Sequence, residues 1–368
     1  MIYLDNASTT QPDSQILTIF NDTQTNAFYN SESLHVGGLH VSQLLQSCRY
    51  YIQKYFHTDK EVIFSRSGSH ANDIAIRSYL EHTTKTQILV SPYEHPSIAA
   101  ALAPYEDVFN IVTLPLTADG AIDVSATQHL LTDDVALIIM QHVNSETGYI
   151  LPVSEIATLA HQFAIPVHVD GVQAITKVPN LTLDVITSYV GSGHKFHSTK
   201  GAGFLLIDHS YIQPLNSHYL HESATQNGTI DTPSIVAMTK ALSMDTHSDY
   251  LSQIKSFALQ QAIASGFTPI EYDQTAPHIL ALLSPQFEGQ YVMQYLASKN
   301  ICVSTGTACG HGMLLSDGLQ VKIKTIPNHV HDQYLRLSFS KYTTQQDIAT
   351  CFQHLHTLIQ GDESYGYT

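Results

Sequence analysis

From about residue 60 to residue 210, short apolar runs alternate with stretches whose apolar positions recur at helical spacing. The runs are "TQILVS", "NIVTLPL", "VALIIMQH", "IPVHVD", "VITSYV" and "GFLLID", all rich in Val, Ile or Leu. They read as strands buried on both faces, since a strand with one wet face would alternate apolar with polar residues. Helical stretches such as 69–81 and 152–163 lie between them. This alternation predicts an α/β fold of βαβ units around a mostly parallel sheet flanked by helices. Ligands of such sheets bind beyond the carboxyl ends of the strands. After about residue 245 the pattern changes. A long helical segment, the run "HILALLS", a helix near 288–299, "ICVST", the strand "YLRLSFS" and a helix near 343–360 predict a smaller α+β domain. The expected division is a large domain over 15–245 and a smaller one from 1–14 and 246–368. The polar tail "GDESYGYT" is expected to fray.

Length and composition agree with two ordered domains. The chain has 368 residues, long for one compact core, and its 43% hydrophobic content is that of a globular protein. The 16 Lys and Arg against 32 Asp and Glu leave a formal charge of -16, so strong direct binding to nucleic acid is not expected. The 22 His temper that charge below neutral pH. Cys48, Cys302, Cys309 and Cys351 are scattered, which suggests neither a zinc site nor a disulfide framework, and no metal ligand set is expected. The start "MIYLDNASTT" lacks a basic flank and an apolar core, and no apolar run approaches the roughly 18 residues needed to cross a bilayer. The expected setting is the cytoplasm, away from membranes, where a lone cysteine is more often chemical than structural.

The polar positions that carry chemistry fall at strand exits. In "VSTGTACGHG", Cys309 sits among Ser, Thr and Gly rather than in an apolar core. In "SGHKFHSTKGAG", Lys195 follows the run "VITSYV". A lysine near apolar strands is costly unless neutral or bonded, and one use for it is a Schiff base to pyridoxal phosphate (PLP). That cofactor needs a carboxylate at its ring nitrogen, and Asp170 ends the run "IPVHVD", three residues before Gln173. It needs backbone N–H groups for its phosphate, and Gly68 and Ser69 of "FSRSGSHAND" precede a helix. It needs a flat partner, and His95 of "YEHPS" follows "TQILVS". Asn144 of "HVNSETG" follows "VALIIM", within reach of a phenolic oxygen. Each is weak alone; their order, each at an exit of one sheet, is not.

The set resembles the cysteine desulfurases of the NifS/IscS-like branch, PLP enzymes of the class V aminotransferase group with the fold-type I architecture. The resemblance runs from "YLDNASTT" to "FSKYTT" and is carried by "EHPS", "HVNSETG", "HVDGVQ", "SGHK", "NGT" and "STGTAC". It implies that Lys195 holds PLP, that Asp170 bonds the ring nitrogen and that His95 stacks on the ring and aids proton transfer. It implies that Asn144 and Gln173 contact the phenolic oxygen, with Asn144 also near the substrate. Gly68, Ser69, Ser192 and His194 would bind the phosphate, and Thr229 would reach the phosphate of the partner subunit in a homodimer. Cys309 would be the nucleophile.

Arg336 follows from the sequence as well. In "YLRLSFS", Leu335, Leu337 and Phe339 alternate with Tyr334, Arg336 and Ser338, so Arg336 is expected on a polar face, facing a cleft. A guanidinium fork suits a carboxylate, and the resemblance implies that it holds the substrate's α-carboxylate. The 27 positions between Cys309 and Arg336 resemble the branch whose cysteine rides on a long mobile loop. The implied reaction takes L-cysteine to L-alanine. Lys195 removes the α-proton, the Cys309 thiolate attacks the substrate sulfur, and a persulfide remains for an acceptor protein, either a scaffold or a sulfurtransferase. Iron–sulfur assembly, tRNA thiolation and thiamine synthesis are all open destinations. The chain departs from the family pattern at His70, Ser198-Thr199, Gln226 and "YNS" (29–31), none of them a group in this chemistry. The alternatives are a selenocysteine lyase or other class V enzyme, and a non-catalytic partner-binding paralogue.

Overall fold

The computed structural model describes residues 1–216, 218, 221–244, 247–305 and 315–361. In chain order the strands are β1 (Ile2–Tyr3), β2 (Glu61–Ser65), β3 (Gln87–Val90), β4 (Asn110–Thr113), β5 (Val135–Gln141), β6 (Val167–Asp170), β7 (Ser188–Ser192), β8 (Gly203–Ile207), β9 (Thr268–Pro269), β10 (Ile279–Leu283), β11 (Ile301–Cys302) and β12 (Tyr334–Ser338). Seven of them form one sheet in the order β2-β8-β7-β6-β5-β3-β4. β4, β3, β5, β6 and β7 are mutually parallel, and β8 runs antiparallel to both its neighbours. Parallel strands need a crossover. The helices Gly68–Leu80, Pro96–Leu102 and Val153–His161 supply it between β2 and β3, β3 and β4, and β5 and β6.

The continuous apolar runs are explained by helices on both faces of this sheet. Ile63, Ile88, Leu137, Ile139 and Leu205 pack with Ala71, Ile74 and Ala75 of the helix Gly68–Leu80. Their strand neighbours Phe64, Leu89, Met140, Phe204 and Leu206 pack on the other side with Ile52 and Phe56 of the helix Val36–Phe56. Alternate residues of one strand thus enter two different cores, and neither face is left polar.

A second sheet has the order β12-β10-β9, and β1 pairs with β11. Leu280, Leu282, Leu335 and Leu337 pack there with Ile254, Val292, Leu296, Phe352 and Leu355 from three helices. Leu4 joins the same cluster, so the amino terminus packs with the carboxyl-terminal third of the chain.

The structure differs from the sequence pattern in a few places. "VITSYV" becomes a strand only from Ser188 and runs to Ser192, because Leu183 and Ile186 enter the core through a turn closed by the Ile186 N–H on the Leu183 carbonyl. "ICVST" keeps β11 and a single bridge from Ser304 to Arg336. β2 is an added edge strand, paired only through β8, with just Val62, Ile63 and Phe64 as its apolar run. The helices Ser14–Asn26, Thr232–Ala241 and Asp317–Lys324 are added too. No helix among the described residues is long and apolar enough to cross a membrane.

Candidate active site

A cavity of about 200 Å³ opens beyond the carboxyl ends of β3, β5, β6 and β7. Gly68, Ser69, His95, Asp170, Gln173, Ser192, His194 and Lys195 all line it. These eight come from four separate stretches of sequence, and the parallel strands bring them together because all end on the same edge.

Asp170 is the last residue of β6. Its Oδ1 accepts from the Val172 N–H at 3.0 Å and its Oδ2 from Asn72 Nδ2 at 2.9 Å. The neighbouring Glu94 carboxyl is buried, and burial, with the Asp170 charge adding to it, pushes its pKa up to about 8. Of this pair Asp170 lines the cavity and Glu94 does not. His95 caps the helix Pro96–Leu102, its Nδ1 accepting from the Ser97 N–H at 3.1 Å. Burial lowers its pKa.

Lys195 Nζ donates to the Ala7 carbonyl at 2.6 Å and the Ser8 carbonyl at 2.8 Å. The amino-terminal motif thus lies across the lysine. It is held there by residues that follow β6 and β7 and by the last residue of β12. Gln173 Nε2 donates to the same Ala7 carbonyl at 2.7 Å, Ser338 Oγ accepts from the Ala7 N–H at 2.9 Å, and Thr10 N donates to the His194 carbonyl at 2.9 Å. His194 Nδ1 meets Thr9 Oγ1 at 3.1 Å, and burial takes its pKa down to about 3, so it is a neutral ring.

At the other end of the cavity the 13-residue helix Gly68–Leu80 begins, capped by Ser67, whose side chain accepts from the His70 N–H. Its first N–H groups and its dipole favour an anion. A side chain on Gly68 would strike Val172 Cγ2 at 2.7 Å, so only glycine lets the helix start this close to the cavity wall. Ser192 Oγ is buried there with no hydrogen-bond partner among the described residues. An orphaned hydroxyl beside a helix N-terminus fits a phosphate. Asp170 fits a protonated ring nitrogen, and Lys195 fits a carbonyl. The donor set matches PLP.

Asn144 and Arg336 are placed differently from expectation. Asn144 does not line the cavity; Val143 and Ser145 do. Its Oδ1 accepts from Glu146 N, Thr147 N and Thr147 Oγ1, and its Nδ2 donates to the Tyr93 carbonyl at 3.1 Å. An Asx turn has taken the amide expected on the phenolic oxygen and near the substrate. Arg336 is not on an open strand face. It is 2% exposed, because both faces of β12 are covered. The face that looked polar is satisfied internally. Tyr334 donates to the Glu146 carbonyl at 2.7 Å, and Arg336 donates to the Ser145 carbonyl at 2.7 Å and pairs with Asp5 at 2.8 Å. Arg336 Nη2 also reaches Ser8 Oγ at 3.0 Å, so the guanidinium stands directly behind two residues that line the cavity. Thr229 lines a separate cavity of about 270 Å³ with Arg66 and Gly228. Cys309, and His311 beside it, lie outside the described residues. The chain is pinned on either side of that stretch, by the Ser304 bridge to Arg336 and by Ser316 N on Glu146 at 3.0 Å.

Asp5, Ser8, Glu94, Asn72 and Ser97 were not singled out by sequence pattern. Asp5 and Ser8 lie inside "YLDNASTT", and Glu94 and Ser97 inside "YEHPS", so the motifs marked their neighbourhoods without assigning them work. Of the departures, Gln226 is buried with its Nε2 on the Phe64 carbonyl, and Ser198 is buried beneath the lysine turn.

The profile of the Aminotransferase class-V family matches residues 2–350. The putative cysteine desulfurase NifS of Bacillus subtilis strain 168 is 30% identical over 97% of this chain and 93% of its own length. The cysteine desulfurase NifS of Azotobacter vinelandii is 30% identical over 97% of this chain and 92% of its own length. The solved structure of a NifS-like protein superposes with a TM-score of 0.89 at 21% identity, covering 98% of this chain and 99% of the other. The chain belongs to the class V aminotransferase family, on its NifS-like cysteine desulfurase branch.

Proposed function

We propose that this protein is a PLP-dependent cysteine desulfurase that converts L-cysteine to L-alanine and carries the sulfur as a persulfide on Cys309. The observation that carries this reading is the convergence of Lys195, Asp170, His95 and an anion-binding helix start on one cavity. Bound PLP supplies an electron sink for the carbanion left when the α-proton departs. Asp170 would hold the proton on the ring nitrogen, its carboxylate oriented by the Val172 and Asn72 donors. Lys195 would hold the cofactor and, at Nζ, take the α-proton. The Cys309 thiolate then attacks the substrate sulfur. A sulfur–sulfur bond forms and the carbon–sulfur bond breaks, its electrons staying with the carbon skeleton that is protonated to alanine. Incubating the pure protein with L-cysteine and a thiol reductant should yield alanine and sulfide in equal amounts. Absence of both would overturn the reading.

Arg336 is the candidate for the substrate carboxylate, because its fork lies behind Ser8 and Ser145 and its Nε has no hydrogen-bond partner among the described residues. The α-carboxylate would share the guanidinium with Asp5. Removing the fork leaves that charge poorly paired, at about 2–4 kcal/mol. Arg336→Ala should therefore raise KM for cysteine by about 30- to 1000-fold, since ~1.4 kcal/mol is tenfold. An unchanged KM in steady-state assays would remove Arg336 from the site.

The active species is read as a homodimer. Large apolar side chains stand exposed between residues 28 and 50, with Leu34 at 91% and Val36 at 85% exposure, more than a monomer's surface usually gathers in one stretch. Thr229 lies on a cavity away from this chain's own lysine, which supports a role toward the partner's phosphate. Sedimentation should give a dimer, and Thr229→Ala should weaken PLP retention without loss of the dimer. A monomer at micromolar concentration would exclude both. The sulfur acceptor is taken to be a protein.

A further inference from the structure

The Asn72–Asp170 bond is one link of a longer chain of hydrogen bonds behind the cavity wall. His168, on β6 two residues before Asp170, is fully buried. Its Nδ1 meets Ser188 Oγ at 2.7 Å and its Nε2 meets Asn72 Oδ1 at 3.1 Å. Asn72, 1% exposed on the helix Gly68–Leu80, donates through Nδ2 to Asp170 Oδ2 at 2.9 Å and to Ser97 Oγ at 3.1 Å. Ser97 Oγ in turn lies 2.8 Å from His95 Nδ1.

The direction of each bond follows from chemistry. The oxygens of a carboxylate only accept, so the Asn72 atom facing Asp170 is the amide nitrogen. Asn72 Oδ1 is then an acceptor, and His168 must donate from Nε2. Its Nδ1 is left to accept from the Ser188 hydroxyl. Ser97 Oγ accepts from Asn72, so its own hydrogen is free for His95 Nδ1. A backbone N–H can only donate, and the Ser97 N–H also points at His95 Nδ1, at 3.1 Å. That nitrogen therefore carries a lone pair, and the hydrogen of the neutral ring sits on Nε2. Burial keeps both rings neutral, lowering the His95 pKa and taking that of His168 down to about 4.

We infer that Asn72 and Ser97 are positioning residues for the reaction, one relay that orients the Asp170 carboxylate and at the same time locks His95 in the tautomer that offers the cavity an N–H. His95 then enters the reaction as a hydrogen-bond donor and stacking partner, and Lys195 is the base. The inference rests on the desulfurase reading for its consequence, but the tautomers themselves do not depend on turnover.

The test begins with cofactor-free, 15N-histidine-labelled protein. Long-range 1H–15N spectra, assigned with His95→Gln and His168→Gln, should show both rings in the Nε2–H form. Asn72→Ala removes the acceptor of His168 and should give it mixed tautomers. In the loaded enzyme, Asn72→Ala, the isosteric Asn72→Asp and Ser97→Ala should each lower kcat by about 10- to 100-fold, the scale on which loss of an orienting partner acts. KM for cysteine should stay within about threefold, and Ser97→Thr, which keeps the hydroxyl, should restore kcat. Ser97 is half-buried at a helix start, so its variants keep the test alive if Asn72→Ala does not fold. His95 found in the Nδ1–H form, or native kcat in Ser97→Ala, would overturn the relay. A native protein that makes no alanine would instead sink the desulfurase reading and leave the tautomer result standing.

Discussion

Lys195→Ala should lose its covalently held cofactor and about 10²- to 10⁴-fold or more of its turnover, the span that removal of a positioned base commonly takes. The expectation rests on geometry. Lys195 is the one lysine lining the cavity among the described residues, and the Ala7 and Ser8 carbonyls fix its amine at one point. Another amine is nearby. Lys177 is buried, its Nζ has no hydrogen-bond partner among the described residues, and burial brings its pKa down to about 7. A neutral amine is a competent nucleophile toward a carbonyl, so Lys177 is the natural impostor. Borohydride fixation followed by peptide mass spectrometry separates the two. The native protein should carry the cofactor mass on Lys195 and Lys195→Ala should carry none, although Asp170 and the helix start should still retain PLP reversibly. Cofactor mass on Lys177, in either protein, would overturn the assignment.

Cys309→Ser should keep the yellow, covalently bound cofactor and still bind cysteine, yet release sulfide orders of magnitude more slowly or not at all, as removal of a nucleophile does elsewhere. A hydroxyl cannot form the sulfur–sulfur bond that the reaction requires. The other thiols are poor substitutes. Burial raises the pKa of Cys48 and pushes that of Cys351 up to about 12, and the thiolate is the nucleophile. Cys302 is fixed in β11 against Tyr3. Mass spectrometry after a pulse of cysteine should find the extra sulfur on Cys309. Finding it on Cys48, Cys302 or Cys351 would remove Cys309 from the mechanism.

Much of this was legible in the chain itself. A run such as "VALIIMQ" has no polar residue to give to water until its last, so it must be covered on both faces, and a parallel sheet between helices is the architecture that does so. Lys195, Asp170 and His95 stood out because each is a polar group placed where an apolar strand ends, and strand ends of such a sheet converge. The shorter or wetter elements were not legible. β2 has three apolar residues in a row, and nothing local distinguishes that from a loop.

What tertiary structure alone decided is how each polar group is partnered. Alternation in "YLRLSFS" correctly separated two faces but could not say what covers the second. Asp5, 331 positions away in sequence, lies against Arg336 and makes that face an interior. Asn144 had the right place in the chain and the right chemistry, yet its amide closes a turn on Glu146 and Thr147, two and three residues on. Asn72 and Ser97 look like ordinary helix-start residues until β6 and the helix Gly68–Leu80 bring Asp170, His168 and His95 to them. Apolar burial depends on composition and period, which a sequence displays directly. A hydrogen bond depends on two atoms meeting within about 3 Å, and whether distant residues meet is settled only when the sheets have closed around them.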